Sequence, residues 1–384
     1  MLAVKAKALY TGHEKPPIKG DVYLVFDEEK GLILQITKEK PSYEILAEGE
    51  VITPAFIDAH CHIGMARAGE HPSEEETNEE MDSIVTLADA LESVYMDDKS
   101  FKESIEYGVL YSCILPGSGN IIGGRAVVIK NYASSIEEAF IRYAGMKVAL
   151  GFNPRSTTNW KGTRPHTRMG AVALLRKTLI KASNEKKLVE DKKKRIEEVE
   201  PEIATLFPIL EGKEKLRVHL HKIDDAMILI RLKRAFNLNV VIDHACDIYK
   251  EEAFKRIKEE GIPIVYGPID SFSYKTELKH ESWRNIEKLI KIKPYFGLMS
   301  DHPVILQRNL FLQLRFFRRY GVSKEEAISI ITKRNAEILG IHEFLGTLEP
   351  KKWASFIVWN GDPFSLDSYP IYVFAEGKCI FKEK

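Results

Sequence analysis

Short apolar runs alternate with amphipathic stretches between residues 52 and 301 of the chain. Each apolar run has the length of a strand, and the stretches between them place apolar residues at helical spacing. Alternation of this kind is typical of a parallel α/β architecture. The eight candidate strands are residues 52–60, 109–115, 126–130, 146–152, 216–221, 240–244, 263–267 and 296–301. A (β/α)8 barrel requires eight strands, so the pattern predicts an α/β fold of the TIM-barrel type.

The amphipathic stretches predict the helices that connect these strands. They are residues 83–107, 135–143, 171–210 with an internal break, 223–237, 249–260, 304–320 and 323–339. No helical pattern clearly precedes the third strand, which makes that strand the least certain of the eight. Short strand-like runs also occupy residues 1 to about 50 and the C-terminal tail, and neither end holds enough apolar residues for a core of its own.

Composition excludes several classes of function. The 384 residues include 56 Lys and Arg against 56 Asp and Glu, so no global charge favours nucleic acid or an anionic membrane. No apolar run approaches the ~18–20 residues that span a bilayer, and no leader with a cleavage site is recognised. The four cysteines form no C-x-x-C pair. We therefore expect a soluble cytoplasmic protein with a small-molecule substrate, no nucleic-acid or membrane partner, and room for a homo-oligomer.

Polar residues that bind metals stand at the ends of four predicted strands. The first strand leads into His60 and His62, the fifth ends with His219 and His221, the sixth ends at His244 and the eighth at Asp301. Residues two apart on a strand share a face, and active sites of barrels lie at the C-terminal ends of the strands. A single strand-end histidine is more often only a satisfied polar residue. Four strands that end this way predict a divalent metal site, and imidazole suits Zn, Ni, Fe and Cu.

Two motifs resemble those of the amidohydrolase superfamily. Pro54-Ala-Phe-Ile-Asp-Ala-His-Cys-His-Ile-Gly64 is similar to its first-strand motif P-G-F-I-D-x-H-x-H. The segment that runs from Gly346-Thr-Leu-Glu-Pro to Trp359-Asn-Gly-Asp-Pro363 is similar to its returning segment near the C-terminus. The resemblance spans nearly the whole chain and is nearest to imidazolonepropionase-like and dipeptidase-like members. It implies that residues 1–52 and 345–384 form one small β-sandwich, and that residues 53–344 form the barrel.

The resemblance also implies roles for the strand-end residues. The metal ligands would be His60, His62, His219, His244 and Asp301. His221 would be another ligand or would touch the substrate, and as a catalytic residue it, or His244, would help to stabilise the tetrahedral intermediate. The expected cofactor is one divalent ion, or two, with Zn as the first choice and Fe, Mn or Ni as alternatives. Asp301 would act as general base and then general acid in the hydrolysis of a C–N bond in an amide or cyclic amide. The rival hypothesis is a non-catalytic scaffold that keeps the fold.

One position departs from the family's pattern. Two-metal members carry a bridging carboxylate at the end of the fourth strand, either a Glu or a carboxylated Lys, where this chain reads Gly151-Phe-Asn-Pro154. Phe152 offers no ligand atom, and Lys147 is expected to be a solvated lysine far from the site. The second ion is therefore in question. Either one ion suffices, or a loop residue substitutes, or activity has been lost.

Loops after the second and fourth strands supply candidates for substrate binding. The glycine-rich segment 115–125 carries Asn120, and segment 155–168 carries Arg155 and Arg168. Arginine binds carboxylates bidentately, which predicts a carboxylate-bearing substrate, although a basic surface loop is an equally good interpretation. The chain also contains two polar insertions. Residues 67–82 are acidic and are predicted to be a solvated loop or a roof over the site, and residues 184–215 are predicted to form a solvated helical hairpin.

Overall fold

The computed structural model describes residues 1–155 and 164–384. Strands from both ends of the chain form one seven-stranded sheet in the order β15-β14-β13-β4-β1-β2-β3, in which only β1 and β4 are parallel. These strands are β1 (Leu2–Leu9), β2 (Ile18–Asp27), β3 (Leu32–Thr37), β4 (Ile45–Pro54), β13 (Phe356–Trp359), β14 (Pro370–Ala375) and β15 (Lys378–Lys382). Phe26, Phe356 and Phe374 pack together in the buried core of this sheet. The α/β fold class is confirmed, with the terminal strands joined in a single sheet.

A second sheet of eight strands forms the nearly closed barrel, in the order β5 to β12 along the chain. Its strands are β5 (Phe56–Cys61), β6 (Val109–Ile114), β7 (Ile122–Lys130), β8 (Phe140–Ala149), β9 (Leu216–Leu220), β10 (Val240–His244), β11 (Ile264–Tyr266) and β12 (Phe296–Leu298). The predicted first strand, 52–60, is therefore split between the two sheets at Ala55. The proposed domain bounds of 1–52, 53–344 and 345–384 remain a prediction.

One strand of the barrel runs against the others. β7 is antiparallel to both β6 and β8, whereas the remaining neighbours are parallel. Only residues 115–121 connect β6 to β7, and a parallel crossover needs about a dozen residues or more. Because no helix connects β6 to β7, β7 runs antiparallel to its neighbours. The prediction of a parallel barrel did not include this reversal.

Hydrogen bonds from side chains close the barrel between β12 and β5. Asn335 donates to the carbonyl oxygens of Ile57 and Leu298, at 2.6 and 2.9 Å, and accepts from the Leu298 N–H at 3.0 Å. The buried Asp58 carboxylate accepts from the Ser300 N–H at 3.1 Å and also from the Ser300 hydroxyl. These bonds fix the segment that carries Asp301 against the strand that carries His60.

Helices surround the barrel. They are α1 (Lys99–Glu106), α2 (Ile136–Ala139), α3 (Arg168–Glu190), α4 (Pro201–Ala204), α5 (Phe207–Leu210), α6 (Ile223–Phe236), α7 (Glu251–Glu259), α8 (Ile286–Ile292), α9 (Leu314–Arg319), α10 (Lys324–Ile330) and α11 (Lys333–Leu339). The predicted helix 83–107 is wrong over most of its length, because Ile84 and Asp89 make extended bridges to β7. Among the described residues, no helix is both long and apolar enough to cross a membrane.

Candidate metal centre

Four parallel strands deliver the strand-end residues to one edge of the barrel. His60 lies in β5 and His62 directly follows it, and His219 lies in β9 with His221 directly after it. His244 is the last residue of β10, and Asp301 follows β12 in a left-handed backbone conformation with φ of 54°. Four of these five imidazoles are buried, and that of His62 is 14% exposed. The structure therefore brings together the six residues that the strand-end pattern singled out.

Their ligand atoms form two overlapping groups. One group contains His60, His244 and Asp301, the other contains His219, His221 and His244, and the ligand atoms within each group lie within 4.8 Å of one another. Asp301 Oδ1 is 3.3 Å from His62 Nε2 and 3.5 Å from His60 Nε2. The Asp301 carboxylate thus stands between both histidines of the first strand and His244, whose Nδ1 is 3.9 Å from Oδ2.

Each of these imidazoles has one nitrogen next to a fixed acceptor. His62 Nδ1 lies 2.7 Å from the Leu115 carbonyl oxygen, and His244 Nδ1 lies 2.9 Å from that of Gly267. Since a carbonyl oxygen can only accept, both Nδ1 atoms carry the proton. The Nε2 of a neutral His244 then presents a lone pair, and the Nε2 of His62 faces Asp301. His60 Nδ1 lies 3.3 Å from Asp243 Oδ1 but makes no hydrogen bond among the described residues.

The other two imidazoles are oriented by a residue that the strand-end pattern did not identify. Glu277 Oε1 lies 3.4 Å from His219 Nε2 and 3.8 Å from His221 Nε2. The Nδ1 atoms of both histidines are buried and have no hydrogen-bond partner among the described residues. Five imidazoles therefore each offer a second nitrogen for a ligand, which is the arrangement expected when histidines bind a metal.

Burial keeps the histidines neutral, as metal binding requires. Loss of solvation lowers the pKa of His60, His219 and His244 well below the usual value and lowers that of His221 to about 3. The pKa of the Asp301 carboxyl is lowered, although its burial acts in the opposite direction. Neutral imidazoles around an ionised carboxylate fit a divalent cation.

Lys147 lies in the interior of the barrel, next to the histidine cluster. Its side chain is fully buried, and its Nζ lies 3.5 Å from His60 Nε2, so the expectation of a solvated lysine far from the site is wrong. Lys147 pairs with Arg217 in the register of β8 and β9, and both side chains are buried in the barrel. Burial lowers the pKa of Lys147 to about 8, although Asp243 and Asp301 act in the opposite direction.

Phe152 supplies no side-chain ligand, as expected, but its backbone contributes. The Phe152 N–H donates to Glu277 Oε2 at 2.8 Å. The preceding residue has φ of +89°, and a Cβ on Gly151 would stand 2.6 Å from Glu277 Oε2. A carboxylate from the loop after β11 thus occupies the space beside the end of β8.

The predicted substrate residues lie in two places. Arg155 and Arg168 line a cavity of about 550 Å³ together with Lys222, Asp225 and Glu277. The Arg155 Nε donates to the Gly151 carbonyl oxygen at 2.7 Å, and Arg168 lies 3.4 Å from Asp225. This cavity adjoins the histidine cluster through Glu277.

Asn120 is engaged elsewhere. Its side-chain amide donates to the carbonyl oxygens of Glu79 and Asp82, both at 2.8 Å, and its Oδ1 has no partner among the described residues. Asn120 therefore fastens the acidic insertion to the loop after β6. Its predicted contact with substrate would use Oδ1 alone.

Comparison with known proteins agrees with this geometry. A family model described as "Amidohydrolase family" matches residues 175–382. A solved amidohydrolase from Thermotoga maritima MSB8 is 32% identical to this chain, covers all of both chains and superposes with a TM-score of 0.90. The chain belongs to the amidohydrolase family. The resemblance seen in the two motifs is thereby confirmed, and membership of this family supports a metal-dependent hydrolase.

More distant amidohydrolase relatives differ in size. The amidohydrolase tasK of Hapsidospora irregularis is 25% identical over 399 residues, which cover 95% of this chain but only 40% of that protein. This chain thus spans about two fifths of the length of that relative. An imidazolonepropionase from Picrophilus torridus is 23% identical over 375 residues, covering 90% of this chain and 89% of that protein.

Proposed function

We propose that the protein hydrolyses a C–N bond in an amide or cyclic amide of a carboxylate-bearing small molecule. The observation that carries this proposal is the cluster of five imidazoles around Asp301 and Glu277. Each has a free nitrogen and a neighbouring acceptor for the other nitrogen. The amidohydrolase fold around this set supports the same reaction class.

Two ions fit the residues better than one. His60, His62 and Asp301 would hold the first ion, and His219 with His244 would hold the second. Lys147 would link the two ions after its neutral amine adds to carbon dioxide, which forms an N–C bond and releases one proton. The lowered pKa of Lys147 supports this step because only the neutral amine reacts. Zn is the expected ion, with Fe, Mn and Ni as alternatives.

A divalent ion in this site would lower the pKa of a water molecule and polarise the substrate carbonyl. Asp301 would transfer the protons, since its carboxylate is ionised and lies between His60, His62 and His244. It takes a proton from the attacking water and gives it to the departing nitrogen, as general base and then general acid. His221 contacts the substrate or completes the ligand set through its unpartnered Nδ1.

The cavity beside the histidine cluster would bind the carboxylate of the substrate. Arg155 and Arg168 bring two guanidinium groups to its wall, and guanidinium binds carboxylate in a bidentate geometry. An N-acyl amino acid, a dipeptide or a cyclic amide with an acidic side chain has the required combination of groups.

Turnover of these three substrate types by wild-type protein and by Asp301→Asn tests the proposal. Asn tolerates the left-handed backbone at this position, so the variant isolates the loss of the carboxylate. We expect rates to fall by roughly 10²–10⁴-fold. Asp270→Asn is a matched control, because Asp270 also has a positive φ and contacts Arg315 outside the ligand set. Equal activity of wild type and Asp301→Asn, or no turnover by either, would favour the scaffold.

A further inference from the structure

Glu277 is a buried carboxylate outside the predicted ligand set. It lies on the loop after β11 and is 2% exposed. An unpaired carboxylate at such a position would be costly, since burial strongly disfavours the charged form. Burial acts to raise the pKa of Glu277, yet this pKa is lowered, and Lys275 Nζ lies 2.7 Å from its Oε1 as a compensating positive charge. The group is therefore an anion that its surroundings stabilise.

Several groups surround this anion, and both of its oxygens are used. Oε1 receives Lys275 Nζ at 2.7 Å and lies 3.4 Å from His219 Nε2 and 3.8 Å from His221 Nε2. Oε2 accepts the Phe152 N–H at 2.8 Å. Gly151 leaves the space that Oε2 fills, because a Cβ there would come within 2.6 Å of it. The two histidines thus face an acceptor whose position is fixed from the opposite side.

A carboxylate can only accept, so an imidazole nitrogen that faces it carries the proton. That places the proton of His219 on Nε2 and leaves its Nδ1 as a lone pair, whereas His221 Nε2, at 3.8 Å, makes no hydrogen bond with Glu277. The Nδ1 atoms of both histidines are buried without a hydrogen-bond partner among the described residues. A buried lone pair without a partner is costly unless a ligand occupies it.

We propose that Glu277 is a positioning residue that holds His219 in the tautomer with an unprotonated Nδ1, the atom that would bind a metal ion. Its role rests on the proposed metal site, and Glu277 is not among the residues proposed to hold the ion. Carboxylates that accept the second N–H of a ligand histidine fix the ring and raise its basicity, and their loss typically costs about 10–100-fold in metal affinity. Lys275 supplies the compensating charge.

The loop that carries Glu277 also forms part of the wall of the substrate cavity. Thr276 and Glu277 line the same cavity as Arg155 and Arg168. Glu277 is therefore the residue through which the substrate cavity adjoins the ligand histidines. Displacement of the loop by a bulky substrate would alter the histidines as well as the cavity.

Glu277→Gln is the most informative variant. Glutamine has the same shape but only one acceptor, so its NH2 must face either the Phe152 N–H or both Lys275 Nζ and His219 Nε2. If it faces His219, it favours the tautomer with the proton on Nδ1, which removes the lone pair that binds metal. Glu281→Gln is the matched control on the same loop, since Glu281 accepts from Ser273 instead.

The measurement is Co²⁺ affinity by chelator competition, together with the visible absorption spectrum of the Co²⁺-loaded proteins and a circular dichroism check of the fold. We expect Glu277→Gln to weaken one Co²⁺ site by roughly 10–100-fold and to change the Co²⁺ spectrum, with Glu281→Gln like wild type. Unchanged affinity and spectrum in Glu277→Gln would overturn the role of Glu277 alone. Failure of the wild type to bind metal would overturn the proposed function as well.

Discussion

Lys147 Nζ lies 3.5 Å from His60 Nε2, in the interior of the barrel. A lysine and an imidazole at this distance make an unfavourable pair when both are protonated, and burial keeps both towards their neutral forms. The amine also contributes to the lowered pKa of His219, so it acts on both groups of candidate ligands. This position suits a group that links two ions.

Lys147→Met should abolish binding of one of two ions. Methionine fills much of the same volume without a nitrogen, so the barrel should fold while the link between the ligand groups is lost. Metal content after dialysis gives the result. Lys215→Met is the control, because Lys215 is a partly buried lysine that precedes β9 and donates to the Ile338 carbonyl oxygen, away from the histidines. Retention of the wild-type metal content in Lys147→Met would refute the linking role.

Gly151→Ala should weaken metal binding without removing any ligand. The new methyl group would stand 2.6 Å from Glu277 Oε2 and force the carboxylate away from the histidines. Chelator competition should show a loss in the same direction as that of Glu277→Gln. Gly212→Ala controls for backbone strain, since Gly212 also has a positive φ and nothing lies within 4 Å of the place that its new methyl group would take. Equal losses in both variants would contradict the explanation.

Asn335→Ala should destabilise the closure of the barrel. The substitution leaves the Leu298 N–H and the carbonyl oxygens of Ile57 and Leu298 without their partner. We expect the free energy of unfolding to fall by about 2–4 kcal/mol, because each buried unsatisfied group costs about 1–3 kcal/mol. Urea denaturation measures this difference. The exposed Asn184→Ala in α3 should change the value by less than about 0.5 kcal/mol, and a similar small change at Asn335 would be contrary to expectation.

Arg155→Gln should raise KM for a carboxylate-bearing substrate and leave kcat nearly unchanged. A hydrogen bond to a charged group contributes about 1.5–3 kcal/mol, which corresponds to an increase of roughly 10–100-fold. The same variant should treat an amide without a carboxylate like the wild type does. Arg176→Gln, on the exposed face of α3, is the control. An equal effect on both substrates would show that Arg155 does not recognise the carboxylate.

The strand-end pattern predicted the histidines and Asp301 because it depends only on local sequence. Apolar strands end in His244 and near Asp301, and parallel strands bring those ends to one edge. Lys147 was misjudged because it lies two residues before the end of β8. Its long stem runs along the barrel interior to His60, which sequence position alone does not indicate.

Glu277 could not be found from the sequence because its position depends on the path of a loop. Nothing in Lys275-Thr-Glu277 differs from an ordinary solvated stretch, and its partners lie on β9 and after β8. The prediction of a helix over residues 83–107 was wrong over most of its length for a related reason. The polar segment contains helix-forming residues, but tertiary bridges from Ile84 to Ile122 and from Asp89 to Arg125 hold it extended.

Metal content of the purified protein, measured by elemental mass spectrometry, tests the central claim most directly. We expect about two divalent ions per chain, and a loss of at least one in the double variant His60→Ala/His62→Ala. A single ion in the wild type would preserve the hydrolytic site and reject the linking role of Lys147. Absence of metal, even after incubation with Zn, Mn, Fe or Ni, would contradict the proposed hydrolase.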